Sequence, residues 1–510
     1  LDPENRHPVF VEPSLPMSED DDSSLFANRS WFTGRYGGRL FYDTRNELPN
    51  EDVFLLQNRL ELRAKLDFSE NWTAVVEGRL EHRLWGQGDP DEPNLIVNGD
   101  HYSGVFEPCL RDAYVSGRFG SFFLTVGNQS VVWGAGTLSR PADVINPQDY
   151  RNGTLDTPGD QRIPVFAVEG NYVFERMALS VVVIPFFEPH AFDVIGTDFA
   201  ISRALMRGEG DAALVDSLDQ FLDPSIQPRL NEGLGLTNFP DALPGNISAG
   251  TRLTGTFGGV DLGLGYFFGW ERIPFIYVDP ELAELFSLIL EDEEFMQDYD
   301  FFGLIGRNPE ILGLQESLSE RAASGETLLV SEYRRQHTVE ADMATYLGQL
   351  GIRAEVAYNP QRTVILADFS SIRRPALSAA LALTYEKSEN FALHLEGFWS
   401  HLFDMPEAEA TALSSEDNYG AIGFIQFGLA EIDGLARSRW GDLGFRFGGL
   451  WNASSKDFIL YPSISFAVSD VVDIGLGAMF FFGPELSEEL TIGGLYDAND
   501  QVFFSVDAVF

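Results

Sequence analysis

Apolar and polar residues alternate along most of this 510-residue chain. The pattern is clearest in 53–68, where apolar side chains hold one parity and charged or amide side chains hold the other, and it repeats in 72–84. The residues between them, Ser-Glu-Asn at 69–71, favour a tight turn. Because successive side chains of a β-strand point to opposite faces, this period of two predicts strands with one apolar and one polar face.

The same alternation predicts about eighteen strands, an even number of the kind that single-chain bacterial barrels have. With the two segments above, they lie at 31–45, 109–119, 121–132, 163–174, 175–187, 247–257, 260–270, 334–346, 350–360, 375–386, 390–403, 419–430, 439–452, 457–468, 471–482 and 501–510. Residues 1–29 are polar, acidic and contain proline, so we expect a periplasmic N-terminal arm there, followed by the barrel over 30–510.

The connections between these strands alternate strictly between short turns and generally longer loops. The longer set is 85–108, 133–162, 188–246, 271–333, 404–418 and 483–500, with the brief 46–52 and 453–456 in the same phase. Short periplasmic turns and long external loops are typical of outer-membrane barrels, whereas a soluble β-sandwich has no reason to sort its loops in this way. The phase predicts an all-β, antiparallel, up-and-down transmembrane barrel with both termini on the periplasmic side.

Composition also favours a barrel over a helical membrane protein. The chain is 44% hydrophobic with a mean hydropathy of −0.08, yet it has 42 Phe, 16 Tyr, 8 Trp and 49 Gly. It has no run of about 18 uncharged apolar residues that would predict a spanning helix. The last strand alternates up to Phe510, which resembles the C-terminal assembly signal of outer-membrane barrels. We therefore expect a mature outer-membrane protein whose signal peptide has been removed.

The net charge of −44 argues against a nucleic-acid partner, which needs cations to neutralise its phosphates. The expected partners are outer-membrane lipid and lipopolysaccharide. Acidic runs at 19–22, 89–92 and 291–294 either solvate the loops, which we favour, or bridge divalent cations to lipopolysaccharide. The single Cys109 excludes a framework of disulfides.

The polar face of the strands must point into the lumen, because an arginine or lysine that faces lipid at mid-depth costs about 2–4 kcal/mol. The residues predicted for this lumen wall are Arg35, Arg39, Arg59, Glu61, Arg63, Glu77, Arg79, Glu81 and Arg83. Further inner-wall candidates include Asp112, Arg118, Glu355, His394 and Glu396. Opposite charges on neighbouring strands can pair, so the wall is either a self-neutralised structural ladder, which we favour, or a polar, partly cationic track for a solute.

Two of the long loops contain segments compatible with helices. In 279–297, Asp279 can cap a helix that begins at Pro280. Its apolar stripe predicts a hydrophobic lid of Leu282, Leu285, Phe286, Ile289 and Leu290. Further helical candidates are 196–222 and 308–324. The stripe predicts either a packed lid over a wide barrel, which we favour, or an apolar site at which a hydrophobic or amphipathic ligand docks.

No catalytic constellation stands out along the chain. Gly-x-Ser-x-Gly, a phosphate-binding P-loop, His-Glu-x-x-His and Cys-x-x-Cys are all absent. His394 beside Glu396 on one strand face is only a two-residue metal signal. We therefore expect no enzyme activity, no catalytic residues, no metal and no cofactor.

The stretch 131–151, VVWGAGTLSRPADVINPQDYR, resembles a segment of an uncharacterised family, defined by a domain of unknown function, of large Gram-negative outer-membrane barrels. The residues that carry the resemblance are Trp133, Gly134, Asp143, Val144, Asn146, Pro147, Asp149 and Arg151. The resemblance implies traffic in lipids or other hydrophobic compounds and an exporter partner in the periplasm or inner membrane. Asn-Pro at 146–147 favours a turn. We expect the segment to fold inward as a constriction, with a structural role favoured over direct contact with a ligand.

Three functions fit these patterns. The first is a gated conduit for hydrophobic or amphipathic, lipid-like compounds, which the loop helices and the resemblance favour. The second is a general or charge-selective solute porin, which the charged wall favours. The third is a barrel-anchored docking, adhesion or assembly protein that uses the 188–246 and 271–333 loops.

Overall fold

The computed structural model describes residues 31–44, 52–87, 102–151, 158–191, 240, 244–290, 292, 294–295, 301–366, 370–388, 390–405, 416–432, 442–484 and 500–510. The predicted N-terminal arm at 1–29, the helical candidate at 196–222 and the acidic run at 89–92 lie outside these residues.

Eighteen antiparallel strands form one closed barrel. The strands of the barrel are β1 (Trp31–Asp43), β2 (Asp52–Ser69), β3 (Trp72–Gln87), β4 (Tyr102–Phe119), β5 (Phe122–Gln129), β6 (Val165–Phe174), β7 (Met177–Ile184), β8 (Ser248–Phe257), β9 (Val260–Trp270), β12 (Arg335–Leu347), β13 (Leu350–Ile365), β14 (Ser371–Ser388), β15 (Phe391–Leu402), β16 (Asp417–Gly428), β17 (Leu443–Asn452), β18 (Asp457–Ser469), β19 (Val472–Phe482) and β20 (Gln501–Val509). Each strand pairs with its neighbour in the chain, β9 pairs with β12, and β1 pairs with β20 to close the wall. The predicted number of strands and the fold class are confirmed.

The two faces of the wall differ as the alternation predicted. Leu62, Leu66 and Leu80 point outward and keep 38%, 43% and 42% of their surface exposed. Arg79 and Gln57, on the other parity, are buried. The outer face is therefore the apolar band that lipid covers in a transmembrane barrel, and closure leaves no unpaired strand edge in it.

Short turns gather at one end of the barrel, with a single departure from the predicted strict phase. Two residues separate β8 from β9, for example, where Gly258 and Gly259 both have positive φ. The connection between β16 and β17, at the same end, instead spans 429–442 and begins with a 3-10 helix, Leu429–Glu431. Strand register depends on pairing along the wall rather than on turn length, so a longer turn there leaves the barrel intact.

The long connection between β9 and β12 folds into a small unit of its own. It holds a two-stranded sheet, β10 (Phe275–Val278) and β11 (Leu329–Glu332), and the helices α2 (Pro280–Leu290), α3 (Phe301–Arg307) and α4 (Glu310–Ala323). The short helix α1 (Pro158–Gln161) lies between β5 and β6, and a 3-10 turn, Pro244–Asn246, precedes β8. The sequence predicted helices near α2 and α4 but not the small sheet. Within the described residues, no helix is long and apolar enough to cross a membrane.

Candidate functional site

The chain leaves the wall after β5 and crosses the lumen before it returns as β6. We call residues 130–151 and 158–164 the crossing loop. Its Trp133 and Ile145 side chains are 3% and 0% exposed, so the loop is packed inside the barrel. The predicted inward fold of this segment is what the geometry gives.

Two glutamates on the far wall hold the crossing loop. Glu355 of β13 accepts hydrogen bonds from the backbone N–H groups of Ala135 (2.9 Å), Gly136 (2.6 Å) and Ala142 (3.2 Å). Glu396 of β15 accepts one from Leu138 at 3.1 Å and another from Ser139. Going round the wall from β5, the strands are β6, β7, β8, β9, β12, β13, β14 and β15, so β15 lies close to half-way round the eighteen. The loop therefore spans the lumen between opposite walls.

Glycine permits this close approach at two positions. Gly134 has a φ of +88°, and a Cβ there would lie 2.4 Å from Glu355 Oε2. A Cβ on Gly136 would lie 2.4 Å from the carbonyl oxygen of Ser139. Any side chain would push the backbone amides away from the carboxylate. This explains why the family motif has glycine after Trp133.

The near side of the crossing loop is apolar and seals against the wall. Trp133 and Ile145 pack with a buried cluster contributed by the loop stem, β6, β7 and β9: Val131, Val165, Ala167, Val182, Ile184 and Phe267. The Trp133 ring lies over Gly250 of β8, where a Cβ would approach it to 2.6 Å. The loop thus packs against the side of the lumen next to β6–β9 and leaves β16–β20 and β1 as the remaining wall.

The polar residues of the family motif hold the loop together. Asn146 accepts the N–H of Val131 (2.8 Å) and donates to the carbonyl of Ile163 (2.9 Å), so it joins the outgoing and returning arms. Pro147 accepts the N–H of Ile163 at 2.9 Å. Asp143 pairs with Arg162 at 2.7 Å. These predicted constriction residues therefore act structurally within the loop.

Asp149 and Arg151 connect the same arm to the wall. Arg151 pairs with Asp149 at 2.7 Å and with Glu107 of β4 at 2.9 Å. Glu107 in turn pairs with Arg83 at 3.0 Å. A chain of charges thus runs from the loop to the predicted lumen wall.

Most of the predicted lumen wall is a ladder of paired charges. Arg79 pairs with Glu61 at 2.5 Å, Arg59 with Glu81 at 3.2 Å, and Arg63 with Glu77 at 3.4 Å. These pairs join side chains that the register of β2 and β3 places opposite each other. The geometry of these pairs agrees with the favoured interpretation, a self-neutralised ladder.

The ladder also binds the returning arm of the crossing loop. Asp160 of α1 reaches Arg79 at 2.9 Å and Arg59 at 3.3 Å. Arg111 of β4 donates to the carbonyl oxygens of Asp160 (3.2 Å) and Arg162 (2.7 Å). Arg59 and Arg79, which the sequence predicts for a solute track along the wall, therefore bind the loop.

Sequence reasoning missed Arg111 because a β-bulge shifts the alternation of β4. Val76 pairs with Ala113 and Gly78 with Leu110, so Glu77 faces both Arg111 and Asp112. The adjacent charges Arg111 and Asp112, which interrupt strict alternation, were the available signal.

Sequence reasoning also missed His190 and Arg272, two residues outside the strands whose side chains form hydrogen bonds to the crossing loop. His190 Nδ1 accepts the N–H of Gln148 at 2.8 Å, and burial beside Arg272 lowers the pKa of His190 to about 3. Arg272 donates to the carbonyl of Ile145 at 2.8 Å and to that of Glu188, while burial lowers its pKa to about 10. No local pattern marks these residues, because their partners are backbone atoms distant in the chain.

Arg35 and Arg39 of β1 lie away from the crossing loop's anchors. Arg35 approaches Asp507 of β20 at 3.9 Å, and Arg39 stands opposite Gln57 in the register of β1 and β2. Both face a recess on the side of the wall that the loop leaves uncovered. Arg35 and Arg39 thus lie on the part of the predicted polar track next to this recess.

The predicted hydrophobic lid is a packed unit. Leu282 and Leu285 are 0% and 1% exposed in a cluster with α3 and α4, and Phe286 and Ile289 pack against it. Nothing is described for the side chain of Leu290. Asp279 Oδ1 accepts the N–H of Glu281 at 3.0 Å, which confirms the predicted cap. The apolar stripe is thus covered within this unit, while its place as a lid over the barrel stays a prediction.

No group of three or more potential metal ligands is found among the described residues.

Comparison by sequence with curated proteins gives no match. Among solved structures, the chain is similar to OccAB4 of Acinetobacter baumannii (7% identity, 95% of this chain and 99% of that one, TM-score 0.44). It is also similar to OmpF of Salmonella typhi in complex with daunomycin (8% identity, 95% of this chain and 98% of that one, TM-score 0.40). A further similar structure is Pseudomonas putida OprB at low pH (8% identity, 94% of this chain and 92% of that one, TM-score 0.38).

A family model described as a protein of unknown function, DUF1302, matches residues 22–486. The match covers most of the chain and includes the whole crossing loop. It confirms the resemblance carried by Trp133–Arg151. The chain belongs to this family of proteins of unknown function.

Proposed function

We propose that this protein is an outer-membrane transport barrel, a gated conduit for amphipathic, lipid-like compounds. The observation that carries the proposal is the crossing loop, which Glu355 and Glu396 hold across the lumen. A loop fixed between opposite walls narrows a wide barrel to the space beside it. Such a constriction suits selection among solutes, whereas a barrel that serves only as an anchor has no use for it.

The remaining wall is apolar towards one end and polar beyond it. Phe41, Phe503, Phe481, Met479 and Ile459 form a buried cluster on the inner faces of β1 and β18–β20. The side chains of Arg39 and Arg35 follow Phe41 along the same face of β1. The apolar surface that this buried cluster offers beside the guanidinium groups is its partly buried margin, Leu55, Leu450 and Tyr461. Such a margin beside guanidinium groups favours an amphipathic cargo over a purely polar one.

A solute porin remains the second candidate, because the recess beside Arg35 and Arg39 is lined by polar side chains. The packed lid removes one argument for a hydrophobic conduit, since its apolar stripe is covered by α3 and α4. The proposal also includes surroundings of outer-membrane lipid and lipopolysaccharide and an exporter partner. We further propose that both termini are periplasmic and that the protein has no enzyme activity.

Flux through the purified barrel in liposomes tests the function. We expect entry of small amphipathic acids to exceed that of neutral sugars of similar mass. Faster entry of sugars would favour the porin, and no entry of any solute would contradict a transport barrel. Deletion of α2–α4 that leaves flux unchanged but abolishes capture of a partner would favour the docking protein.

A further inference from the structure

The outer face of the wall carries an arginine above its apolar band. β12 runs 13 residues from Arg335 to Leu347, which precedes a short turn. Arg335 has the parity of Val339, an outward side chain that is 46% exposed. At about 3.4 Å per residue and a tilt of about 40°, Arg335 lies about 31 Å above that turn along the barrel axis. The apolar band of a transmembrane barrel is about 25 Å tall, so Arg335 lies near the level of the lipid head groups.

Arg373 of β14 reaches the same part of the outer face. It has the parity of Leu381, an outward side chain that is 51% exposed. Its Nη2 donates to the carbonyl oxygen of Arg335 at 2.5 Å, and its Nε donates to that of Gln361 at 3.0 Å. Both arginine side chains are partly exposed. We call Arg335 and Arg373 the arginine pair.

The hydrogen bonds of the arginine pair leave N–H donors available. Arg335 donates to the carbonyl oxygens of Ile247 at 2.6 Å and Gly245 at 2.9 Å. Arg373 donates the two hydrogen bonds given above. Because a guanidinium group has five N–H donors, each arginine keeps donors for a ligand. All four acceptors are backbone carbonyls, which do not neutralise the two positive charges.

The acidic side chains near the arginine pair have other partners. Glu332 pairs with Arg334 at 2.6 Å. Glu271 is the carboxylate that acts on Arg373, and its oxygens accept the N–H of Thr363 at 2.8 Å and the hydroxyl of the same residue. Within the described residues, neither member of the arginine pair forms an ion pair with a carboxylate. In a chain with a net charge of −44, the pair is thus a local cationic site that suits an anionic partner.

An aromatic surface lies directly beside and below the arginine pair. The Arg335 guanidinium lies 4.1 Å from the ring centroid of Trp270 and 5.0 Å from that of Phe268, both on β9. Tyr266, the next residue on the same face of β9, is 40% exposed and stands opposite Val339. Girdles of aromatic side chains lie at the membrane interface of transmembrane barrels. A head group at the arginine pair would therefore have its acyl chains on the apolar face below.

We propose that the arginine pair binds the phosphate group of a lipid in the outer leaflet, with the acyl chains against Tyr266 and Val339. Guanidinium groups match the geometry of phosphate oxygens. The depth of the pair and the aromatic surface beside it favour a membrane lipid over a phosphate dissolved in water. The inference rests on the outer-membrane part of the proposed function and names a lipid partner, while it is independent of what the barrel transports.

Native mass spectrometry of the barrel in a neutral detergent tests the site with three probes. Dioleoyl phosphatidic acid has phosphate and chains, dioleoylglycerol has the chains alone, and inorganic phosphate is added as a competitor. We expect phosphatidic acid to bind at least about tenfold more tightly than dioleoylglycerol, because only it can accept hydrogen bonds on a charged group. Equal binding of dioleoylglycerol would overturn the role of the phosphate. Displacement of phosphatidic acid by an equal concentration of inorganic phosphate would overturn the lipid as its source.

Variants locate the site. Arg335→Gln with Arg373→Gln should weaken phosphatidic acid at least about tenfold. The matched control is Arg118→Gln with Arg176→Gln, which removes the same charge at the opposite end of the barrel, where Arg118 bonds the carbonyl of Gly120. Unchanged affinity in the first variant, or an equal loss in the control, would refute the site.

Gln361→Glu tests the same place without removing a contact. The Gln361 side chain is exposed, and only its backbone bonds Arg373. A carboxylate there should repel the phosphate and weaken phosphatidic acid several-fold, and unchanged affinity would contradict the site even where the glutamine variant fails to fold. Flux in liposomes is measured in parallel. Flux without arginine-dependent lipid binding leaves the transport function standing, and arginine-dependent lipid binding without flux leaves the lipid site standing.

Discussion

Asp160 lies 2.9 Å from Arg79, and this ion pair fastens the returning arm of the crossing loop to the charge ladder of the wall. Asp160 also pairs with Arg59 at 3.3 Å. The carboxylate is thus the point at which two neighbouring strands and the loop meet. The charge ladder therefore anchors the crossing loop in addition to neutralising its own charges.

Asp160→Asn should loosen this arm. Arg79 and Arg59 keep Glu61 and Glu81 as partners, so the barrel should fold and only the loop contact should weaken, by roughly 2 kcal/mol. We expect higher single-barrel conductance in planar bilayers. Asp67→Asn is the control, because it removes the same charge near the turn at 70–71, where Asp67 bonds Thr73. Equal conductance changes in the two variants would show that charge, not the loop contact, is responsible.

Asn146→Ala should separate the two arms of the loop. The substitution leaves the buried N–H of Val131 and the carbonyl of Ile163 without their partner, at a cost of roughly 1–3 kcal/mol each. Added protease should then cleave the loop sooner, while the heat-dependent gel mobility of the barrel stays that of the wild type. Protection equal to that of the wild type would contradict this role.

His190 should make the loop sensitive to acid. Its pKa is about 3 in the folded protein and about 6.5 when unfolded. The unfolded chain therefore takes up a proton first as pH falls below about 6.5, and stability falls by up to about 1.4 kcal/mol per unit until the folded pKa is reached. His190→Asn keeps an acceptor for Gln148 but cannot titrate. Urea unfolding at pH 7 and pH 5 should show a smaller loss in this variant, and equal losses would refute the effect.

The lid should unfold separately from the barrel. Leu285 is 1% exposed, so Leu285→Ala should cost the lid about 2–5 kcal/mol and raise protease cleavage within 279–324. Leu312→Ala, on α4 at a side chain that is 51% exposed, is the matched control and should change little. Loss of the folded barrel in the Leu285 variant would show that lid and barrel are one cooperative unit.

Alternation predicted the wall because a barrel gives each side chain one of two environments. It placed Arg79 and Glu61 on one face of the wall, and the register of β2 and β3 sets them opposite each other. It also placed Glu355 and Glu396 on the inner wall. It could not predict their partners, because these are backbone amides of a loop more than 200 residues away, which carry no sequence signal.

The family motif predicted where the chain folds into the lumen better than it predicted what its residues do there. Trp133 and Gly134 mark the point where the chain turns inward. The Trp133 side chain is buried there, and Gly134 allows the backbone to approach Glu355 closely. Asn146 and Asp149 are motif residues whose side chains form hydrogen bonds within the loop itself.

Glu355 and Glu396 hold a constriction across the lumen, and single-barrel conductance of the double variant Glu355→Gln, Glu396→Gln tests this arrangement most directly. Each substitution turns one acceptor oxygen into an amide that faces backbone N–H groups, so the loop should leave the far wall. We predict a clear rise in conductance and weaker discrimination between solutes. The control is Glu169→Gln, a wall glutamate that bonds Ser180 of β7. Conductance of the double variant equal to that of the wild type and of this control would contradict the account.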